Sequence, residues 1–414
     1  MRMSALKYWV WLSSLGGVGP VTALQLLRHF ETPEKIFLAS ADEYRDIDGI
    51  RSADISALSR KDIESANKIL SSCSAMGYRI ITLQDAEYPD RLRNIYDPPV
   101  TLYIKGSLPV VDDEAVVAIV GTRGCTPYGI NAAENIGYCL ARRGLIVVTG
   151  LARGIDSAAT RGALRGGGRV LGVIGSGLDV VYPRENKTLF EDVAAAGAII
   201  SEYPPGSPAA AAHFPARNRI LSGLSLGVTV IEAPKKSGAL ITAARALEQG
   251  RDVFALPGNV DARSCEGSNA LLRDGAIPVL SGEDIVGEYA GLFPEKIRLD
   301  GQEHSVSHDR KSADRPGISQ AGNGEGNRGD NKKEVDNTSK VDYIDIYTLL
   351  STLTGDEKTI ASAIGTGTIS VDDMIVGTGL SAQQVLTALT MLEIKGCVVR
   401  GSGKYYSLAE PDKF

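Results

Sequence analysis

Apolar residues along the middle of the chain follow a repeated order of strand, loop and helix. The first clear unit is Ala115–Arg123 (AVVAIVGTR), in which the first six residues are apolar and β-branched residues dominate. Such a run is typical of a strand that is buried on both faces. After Gly121, apolar residues recur at helical spacing through Ile130–Arg143. The unit therefore predicts a buried strand that ends in a glycine turn and leads into a helix.

The same order repeats toward residue 259. Further apolar runs predict strands at Leu145–Thr149, Arg169–Ile174, Ala198–Ser201, Leu226–Ile231 and Asp252–Ala255. Two earlier runs, Arg79–Leu83 and Thr101–Lys105, predict strands that support the sheet. Because strands alternate with helices, the sequence predicts an α/β fold with a doubly wound, mostly parallel sheet and right-handed crossovers.

Residues 1–75 are predicted to form a helical N-terminal domain. Val21, Leu24, Leu27 and Phe30 share one helical face after a Gly-Val-Gly-Pro hinge, and a second hinge lies at 47–50. Helix–hairpin–helix units of this kind hold DNA phosphates on backbone amides. They are at least as often plain packing units, and the shortness of the pattern favours packing.

The C-terminal third changes composition twice. Residues 291–340 are rich in Gly, Asn, Ser and charge, which predicts a flexible linker. Residues 341–414 then predict two helices and a hairpin, which together make a winged helix. Its second helix offers only Lys395, and the segment holds 5 Lys+Arg against 9 Asp+Glu, a net of −4. This charge favours contact with protein over binding of duplex DNA.

Several predicted strands end in glycine with small polar or cationic residues. The residues concerned are Gly121, Thr122, Arg123, Arg153, Gly154, Asp156, Asn186, Lys187, Ser237 and Gly238. The carboxyl ends of parallel strands lie on one edge of a sheet, where amides at helix N-termini favour anions. These loops therefore predict one phosphate-binding cleft, in which Asp156 caps a helix or orients an arginine. For Thr122 and Arg123 alone, a tight turn with a solvated arginine is an equal alternative.

His213–Arg219 (HFPARNR) is the most informative segment. Phe214 suits stacking on a base, Arg217 and Arg219 suit phosphates or a base plane, and Asn218 suits a base edge or the fixing of a loop. The alternative is a surface loop in which Phe214 fills the core and the arginines pair with Glu202 or Glu232. Beside the glycine-rich loops, the segment from His213 onward favours contact with a ligand.

Charge and cysteine usage narrow the classes of function. The formal net charge is −6, but residues 115–290 hold 17 Lys+Arg against 16 Asp+Glu, a net of +1. Any nucleic-acid site is therefore expected to be a local patch on the central domain.

The five cysteines form no CxxC pair, so neither a zinc site nor a disulfide framework is predicted. The sequence has no signal peptide or membrane-spanning run, and a cytoplasmic location is expected.

These motifs, in this order, resemble the DNA-processing protein A family (DprA/Smf). The resemblance covers roughly 76–290 and rests on GTR at 121–123, GLARGIDSAATRGAL at 150–164, GSGLDVVYPREN at 175–186, SEYPPG at 201–206, HFPARNRILSGLS at 213–225, SGALITA at 237–243 and ALEQGRDVFALPGN at 246–259. It implies a Rossmann-like domain that binds single-stranded DNA without strong sequence preference. It also implies a homodimer that delivers a RecA-type recombinase, chiefly in natural transformation. No catalytic activity is established for the role of the family, and for this chain no cofactor or metal is expected.

Two residues depart from the family pattern. Thr122 stands where the family commonly has Ser, which keeps the hydroxyl group. Thr160 stands where the family commonly has His, so no DNA contact is assigned to this position.

The alternative function is a nucleotide-processing hydrolase of the phosphoribohydrolase type, which uses a related fold. Such an enzyme needs a carboxylate at the cleft, and Glu202 or Glu232 could serve. The PGGxGT-type loop that those hydrolases carry is absent from the sequence.

Overall fold

A computed structural model describes residues 2–299, 355–364, 368–394, 398–400 and 405–408. The chain divides into two compact units, Met1–Asp309 and Arg310–Phe414. Most of the predicted linker, the start of the predicted winged-helix domain, Lys395 and the hairpin tip lie outside the described residues. The predicted domain limits at 75, 290 and 340 stay predictions.

The first part of the larger unit is helical. Its helices are α1 (Arg2–Ser14), α2 (Pro20–Phe30), α3 (Pro33–Leu38), α4 (Ala41–Arg45), α5 (Ser52–Leu58) and α6 (Ile63–Ala75). Side-chain caps start several of them: Thr32, Ser40 and Asp62 each accept a hydrogen bond from an amide of the first turn. The helices bury Trp11 and Tyr44 in a common core. This packing accounts for the fold of the segment. A DNA contact through its hairpins stays a prediction.

A nine-stranded sheet follows, in the order β1-β2-β6-β5-β4-β3-β7-β8-β9. The strands are β1 (Arg79–Thr82), β2 (Thr101–Gly106), β3 (Val116–Val120), β4 (Ile146–Thr149), β5 (Val170–Ile174), β6 (Ala198–Ser201), β7 (Gly227–Val230), β8 (Asp252–Ala255) and β9 (Ile277–Pro278). Strands β3 to β9 pair in parallel, whereas β1 and β2 are antiparallel. The predicted doubly wound, mostly parallel sheet is confirmed.

Helices cover both faces of this sheet. They are α7 (Asp90–Arg93), α8 (Pro127–Arg142), α9 (Ile155–Arg165), α10 (Lys187–Ala196), α11 (His213–Leu224), α12 (Gly238–Glu248), α13 (Glu266–Arg273) and α14 (Gly282–Ala290). One core places α8, α9, α10 and α14 against Val117 and Val147 of the sheet. The other places α7, α11 and α12 against Val116 and Val148. Alternate strand residues thus serve opposite layers, as expected of a strand buried on both sides.

Helices α8 and α9 meet through their backbones. A Cβ atom added to Gly137 would lie 2.3 Å from the carbonyl oxygen of Ala159, and one added to Gly162 would lie 2.0 Å from that of Glu134. Both distances are far below van der Waals contact, so no larger residue fits at either glycine without displacement of the backbone. The two helices are therefore held at one separation.

The smaller unit contains α15 (Asp356–Ile364), β10 (Thr368–Ser370), α16 (Val371–Thr378), α17 (Ala382–Ile394), β11 (Val398–Arg400) and β12 (Tyr405–Leu408). The strands form a sheet in the order β10-β12-β11, and the helices pack over Met374 and Leu389. This is the predicted helix–turn–helix and hairpin, with α15 in addition. Among the described helices of the whole chain, none combines the length and apolar character that a membrane span needs.

Candidate nucleic-acid interface

A cleft opens where the strand order of the sheet reverses. Strands β4, β5 and β6 follow one another outward on one side of β3, and β7, β8 and β9 on the other. Parallel α/β sheets bind ligands at this switch point, beyond the carboxyl ends of the strands. The cleft has a volume of about 300 Å³. Its lining includes the predicted residues Gly121, Thr122, Arg123, Asp156, Phe214, Arg217, Asn218, Ser237 and Gly238.

The loop after β3 forms one wall of the cleft. The Thr122 amide donates to the carbonyl oxygen of Glu232 at 2.7 Å, which ties the end of β3 to the end of β7. The Thr122 hydroxyl accepts from the Gly124 amide at 3.3 Å. The side chain of Arg123 is exposed, and its guanidinium lies 5.2 Å from the ring centre of Phe214. Arg123 of this loop and Phe214 of α11 therefore bring a cation and an aromatic ring together at the mouth of the cleft.

The loop after β4 brings a buried carboxylate into the cleft. Gly154, which precedes α9, has a φ of +75°, a conformation that side chains rarely adopt. Oδ2 of Asp156 accepts from the amides of Gly150 at 3.0 Å and Ala152 at 3.4 Å. Burial raises the pKa of Asp156, while Arg217 and the two amides act in the opposite direction. Asp156 therefore shapes the loop as well as lining the cleft.

Arg217 lies at the floor of the cleft and is only 4% exposed. Its Nη1 donates to the carbonyl oxygen of Val173 at 2.5 Å, but its Nε has no partner. Burial lowers the pKa of Arg217 to about 10, although Asp156 acts to raise it. A buried donor without a partner costs free energy, so the hydrogen bonding of Arg217 within the protein is incomplete.

Arg219 is a different case, because its hydrogen bonds are made within the protein. Its guanidinium donates to both oxygens of Glu202, at 2.9 and 2.6 Å, and to the carbonyl oxygens of Asp97 and Ala216. It is 3% exposed and does not line the cleft. The predicted alternative, an arginine paired with Glu202, describes Arg219, whereas Arg217 lines the cleft.

The N-terminus of α12 forms the opposite wall. The Ser237 hydroxyl caps the helix by accepting from the Ala239 amide at 3.2 Å. Asn218 donates to the carbonyl oxygen of Gly238 at 3.3 Å, which joins α11 to this wall. Lys236 also lines the cleft with an exposed side chain. Free amides and a cation at a helix N-terminus favour an anion such as phosphate.

Six predicted site residues do not line the cleft: Arg153, Gly154, Asn186, Lys187, His213 and Arg219. Arg153 is exposed and pairs with Glu185. Asn186 is 5% exposed and donates to the Leu151 carbonyl and the Ser157 hydroxyl, each at 2.9 Å, so it braces the loop after β4. Lys187 is exposed at the start of α10.

His213 is partly buried and supports the cleft from the side. Its ring stacks on Tyr203 with the centres 3.9 Å apart, and its Nδ1 lies 3.0 Å from the carbonyl oxygen of Gly175. The imidazole therefore holds the first turn of α11 against the loop after β5.

Sequence reasoning missed two residues near the site. Lys236 was not among the predicted site residues, although its place directly before Ser237, at the predicted start of a helix, was a usable signal. Tyr182 is 47% exposed, and its ring centre lies 5.5 Å from that of Phe214. No sequence pattern placed the 182 loop beside α11, because that contact depends on the packing of two distant segments.

The two carboxylates considered for the hydrolase alternative, Glu202 and Glu232, are both bound by other groups of the protein. Glu202 is held by Arg219, as described above. Glu232 is 1% exposed and accepts from the amide and hydroxyl of Thr126, at 2.8 and 2.6 Å. Within the described residues, no group of three His, Cys, Asp or Glu side chains is arranged to hold a metal ion.

Comparison with known proteins gives consistent matches. The family model described as DNA recombination-mediator protein A matches residues 79–290, and the DprA winged helix domain matches 348–404. Protein Smf of Synechocystis sp. is 33% identical over 423 residues, which span 98% of this chain and 99% of that protein. DNA processing protein DprA of Streptococcus pneumoniae is 37% identical over 287 residues, 69% of this chain and 99% of that one.

Solved structures agree with these matches. The X-ray structure of DprA from Streptococcus pneumoniae has a TM-score of 0.61 at 36% identity, and it covers 68% of this chain and 97% of its own. The winged helix predicted for the C-terminal segment is supported by the matching family model there. The chain therefore belongs to the DNA-processing protein A (DprA/Smf) family, and its role lies in DNA processing and recombination.

Proposed function

We propose that this chain binds single-stranded DNA at the switch-point cleft and loads a RecA-type recombinase onto it during natural transformation. The observation that carries the proposal is the composition of the cleft: exposed Arg123 and Lys236, the N-terminus of α12 and the ring of Phe214 all meet there. Cations and helix amides suit a phosphate backbone, and the partly exposed ring of Phe214 suits a stacked base.

The proposal includes a cytoplasmic homodimer that forms through the larger unit. Two observations support a self-sufficient larger unit: Met1–Asp309 is compact on its own, and the C-terminal segment is acidic. A truncation that ends at residue 299 is expected to stay dimeric and to bind single strands. Light scattering that shows a monomer would count against this part of the proposal.

The proposed role is that of a binding protein, not an enzyme. The two carboxylates considered for the hydrolase alternative, Glu202 and Glu232, are both occupied by other protein groups. Asp156 does line the cleft, with one oxygen bound to two amides. Incubation with nucleoside monophosphates is expected to release no base.

The test uses the full chain and a labelled oligothymidylate in a mobility shift, beside a hairpin duplex of the same length. Tight binding of the single strand and weaker binding of the duplex are expected. Recombinase loading is measured as the rate at which a RecA-type protein assembles on a strand covered with single-strand-binding protein, with and without this chain. Equal binding of both DNAs, or no change in that rate, contradicts the proposal.

A further inference from the structure

The outer surface of α8 and α9 carries a cluster of arginines that lies away from the cleft. Helix α9 is buried along most of its length, and its two exposed side chains are Arg161 and Arg165, one turn apart. Arg142 at the end of α8 and Arg169 before β5 are exposed as well. Of the two acidic residues on these helices, only Glu134 is not buried. The four arginines define an arginine face, which has four positive charges against one negative charge in a chain of net charge −6.

The close contact between the two helices brings these arginines together. A Cβ atom added to Gly162 would lie 2.0 Å from the carbonyl oxygen of Glu134, and one added to Gly168 would lie 2.5 Å from Cβ of Ala141. The contacts run in the same order along both segments, so the two helices are parallel. The arginines that directly adjoin these contacts in sequence are Arg161, Arg142 and Arg169. At 1.5 Å per residue, the row of cations extends over about 10 Å along the helices.

An aromatic ring and two amides accompany the cations. The Arg165 guanidinium lies 5.3 Å from the ring centre of Tyr138, and its Nη1 donates to Oε1 of Glu134 at 2.7 Å. The ring of Tyr138 is 39% exposed. Asn131 and Asn135 are exposed and follow helical spacing toward Tyr138, so they lie on the same side of α8. The arginine face therefore offers a cation held over an accessible ring, beside amide donors and acceptors.

Folding of the domain does not account for these charges. Arg161 and Arg165 are four residues apart on one helix, a spacing at which like charges repel and destabilise the helix. Within the part of the chain that the structure describes, Arg142, Arg161 and Arg169 form no ion pair. Arg165 does pair with Glu134, but a pair that is this exposed contributes little to stability. The arginine face is therefore available to an anionic partner.

We propose that the arginine face is a second contact for the bound single strand, outside the cleft, with phosphates on the arginines and a base on Tyr138. This rests on the proposed function and extends the path of the strand. Two observations favour DNA over an acidic protein as the occupant. The loops that line the cleft lead directly into α8 and α9, so the two surfaces are continuous. Cations, amides and an accessible ring are also the groups with which proteins hold a single strand.

The test uses the full chain and oligothymidylates of about 5 and about 20 nucleotides. The shorter strand occupies the cleft, and the longer one also reaches the arginine face. The double variant Arg161→Gln and Arg165→Gln removes two cations. For the longer strand it should flatten the slope of log affinity against log salt concentration by about 1.4, since each phosphate contact contributes about −0.7. Binding of the shorter strand should be unchanged.

The outcomes separate this inference from the proposed function. An unaltered slope for the longer strand overturns the inference and leaves the arginine face to another partner, such as an acidic protein segment. Equal weakening of both strands also overturns it, because the effect would then reach the cleft. Failure of the unaltered chain to bind either strand overturns the proposed function itself.

Two further variants test charge and stacking separately. The double variant Arg60→Gln and Lys68→Gln removes the same two charges from exposed positions of the helical N-terminal part, and it should leave the slope unchanged. Equal flattening in this matched control overturns the inference, because net charge alone would explain the effect. Tyr138→Ala should weaken binding of the longer strand about tenfold with the slope unchanged. An unaltered affinity in this variant contradicts the stacked base. All these side chains are exposed, so the melting temperatures should hold.

Discussion

Two arginines on one helix behave in opposite ways. Arg219 belongs to a closed network with Glu202 and the Asp97 carbonyl, whereas Arg217 makes one hydrogen bond to the Val173 carbonyl and leaves Nε without a partner. Both are at most 4% exposed. Burial alone therefore does not distinguish Arg219, whose hydrogen bonds are completed within the protein, from Arg217, whose hydrogen bonding is incomplete.

Geometry explains the difference. Residues two apart on an α-helix point about 200° away from each other. Arg219 consequently faces the loops that hold Asp97 and Glu202, while Arg217 faces the carboxyl ends of the strands. The substitutions below test this contrast, since the same change at the two positions should have different consequences.

Arg219→Met is expected to have the largest effect, a loss of about 3–5 kcal/mol in the free energy of unfolding. The substitution leaves the largely buried carboxylate of Glu202 without its cation. Chemical denaturation with urea measures the change. An unaltered midpoint would show that the network around Arg219 is not structural.

Phe214→Ala is expected to weaken binding of single-stranded DNA by roughly 1–3 kcal/mol if the ring stacks on a base. The dependence of affinity on salt should stay nearly the same, because no charge is removed. The measurement is a titration of oligothymidylate at several salt concentrations. A changed slope with unchanged affinity would exclude stacking.

Arg123→Ala separates charge from stacking at the same mouth of the cleft. Each phosphate of a single strand that a protein cation neutralises contributes about −0.7 to the slope of log affinity against log salt concentration. Loss of one contact should flatten the slope by about that amount, and the melting temperature should hold because Arg123 is exposed in a loop. A variant that keeps affinity, slope and melting temperature would remove Arg123 from the site.

Arg217→Met is expected to change stability least, by less than about 1 kcal/mol near neutral pH, because the substitution also removes the cost of a buried charge. It removes the stronger of the two cations that act on Asp156, Arg217 and Arg123, so the already raised pKa of this carboxyl rises further. When the pKa of a carboxyl is higher in the folded than in the unfolded state, the folded state binds the proton more tightly. The free energy of unfolding therefore falls as pH rises from the unfolded to the folded pKa value. Urea denaturation at acidic and at neutral pH checks the sign.

The sheet was predictable because its strands carry an unambiguous signal. The apolar run before Gly121 and the similar runs that follow it predicted the positions of the strands. The position of the cleft follows from the rule that the carboxyl ends of parallel strands lie on one edge of the sheet. Strand β9, with two residues, and helix α15 were missed because neither carries a run long enough for a periodic pattern. Short elements form through their neighbours and not through their own sequence.

The side chains of the site were only partly predictable. Nine of the fifteen candidates line the cleft, yet Asn186 and His213 brace its loops and Arg219 is turned inward. The segment from His213 lies on a helix whose last eight residues are mostly buried, so its periodicity is weak and side-chain directions were not available from the sequence. Partners such as Asp97 lie far away along the chain.

The backbone contact between α8 and α9 has a kinetic consequence. The loops after β3 and β4 lead directly into these two helices. At Gly137 and Gly162 the helix backbones are so close that no side chain fits between them. Under the proposed function, the walls that carry Arg123 and Asp156 are therefore expected to be in position before a strand arrives. Encounter with DNA needs no slow rearrangement of these walls, so the association rate constant should be set by diffusion and electrostatic steering, and should fall as salt is added.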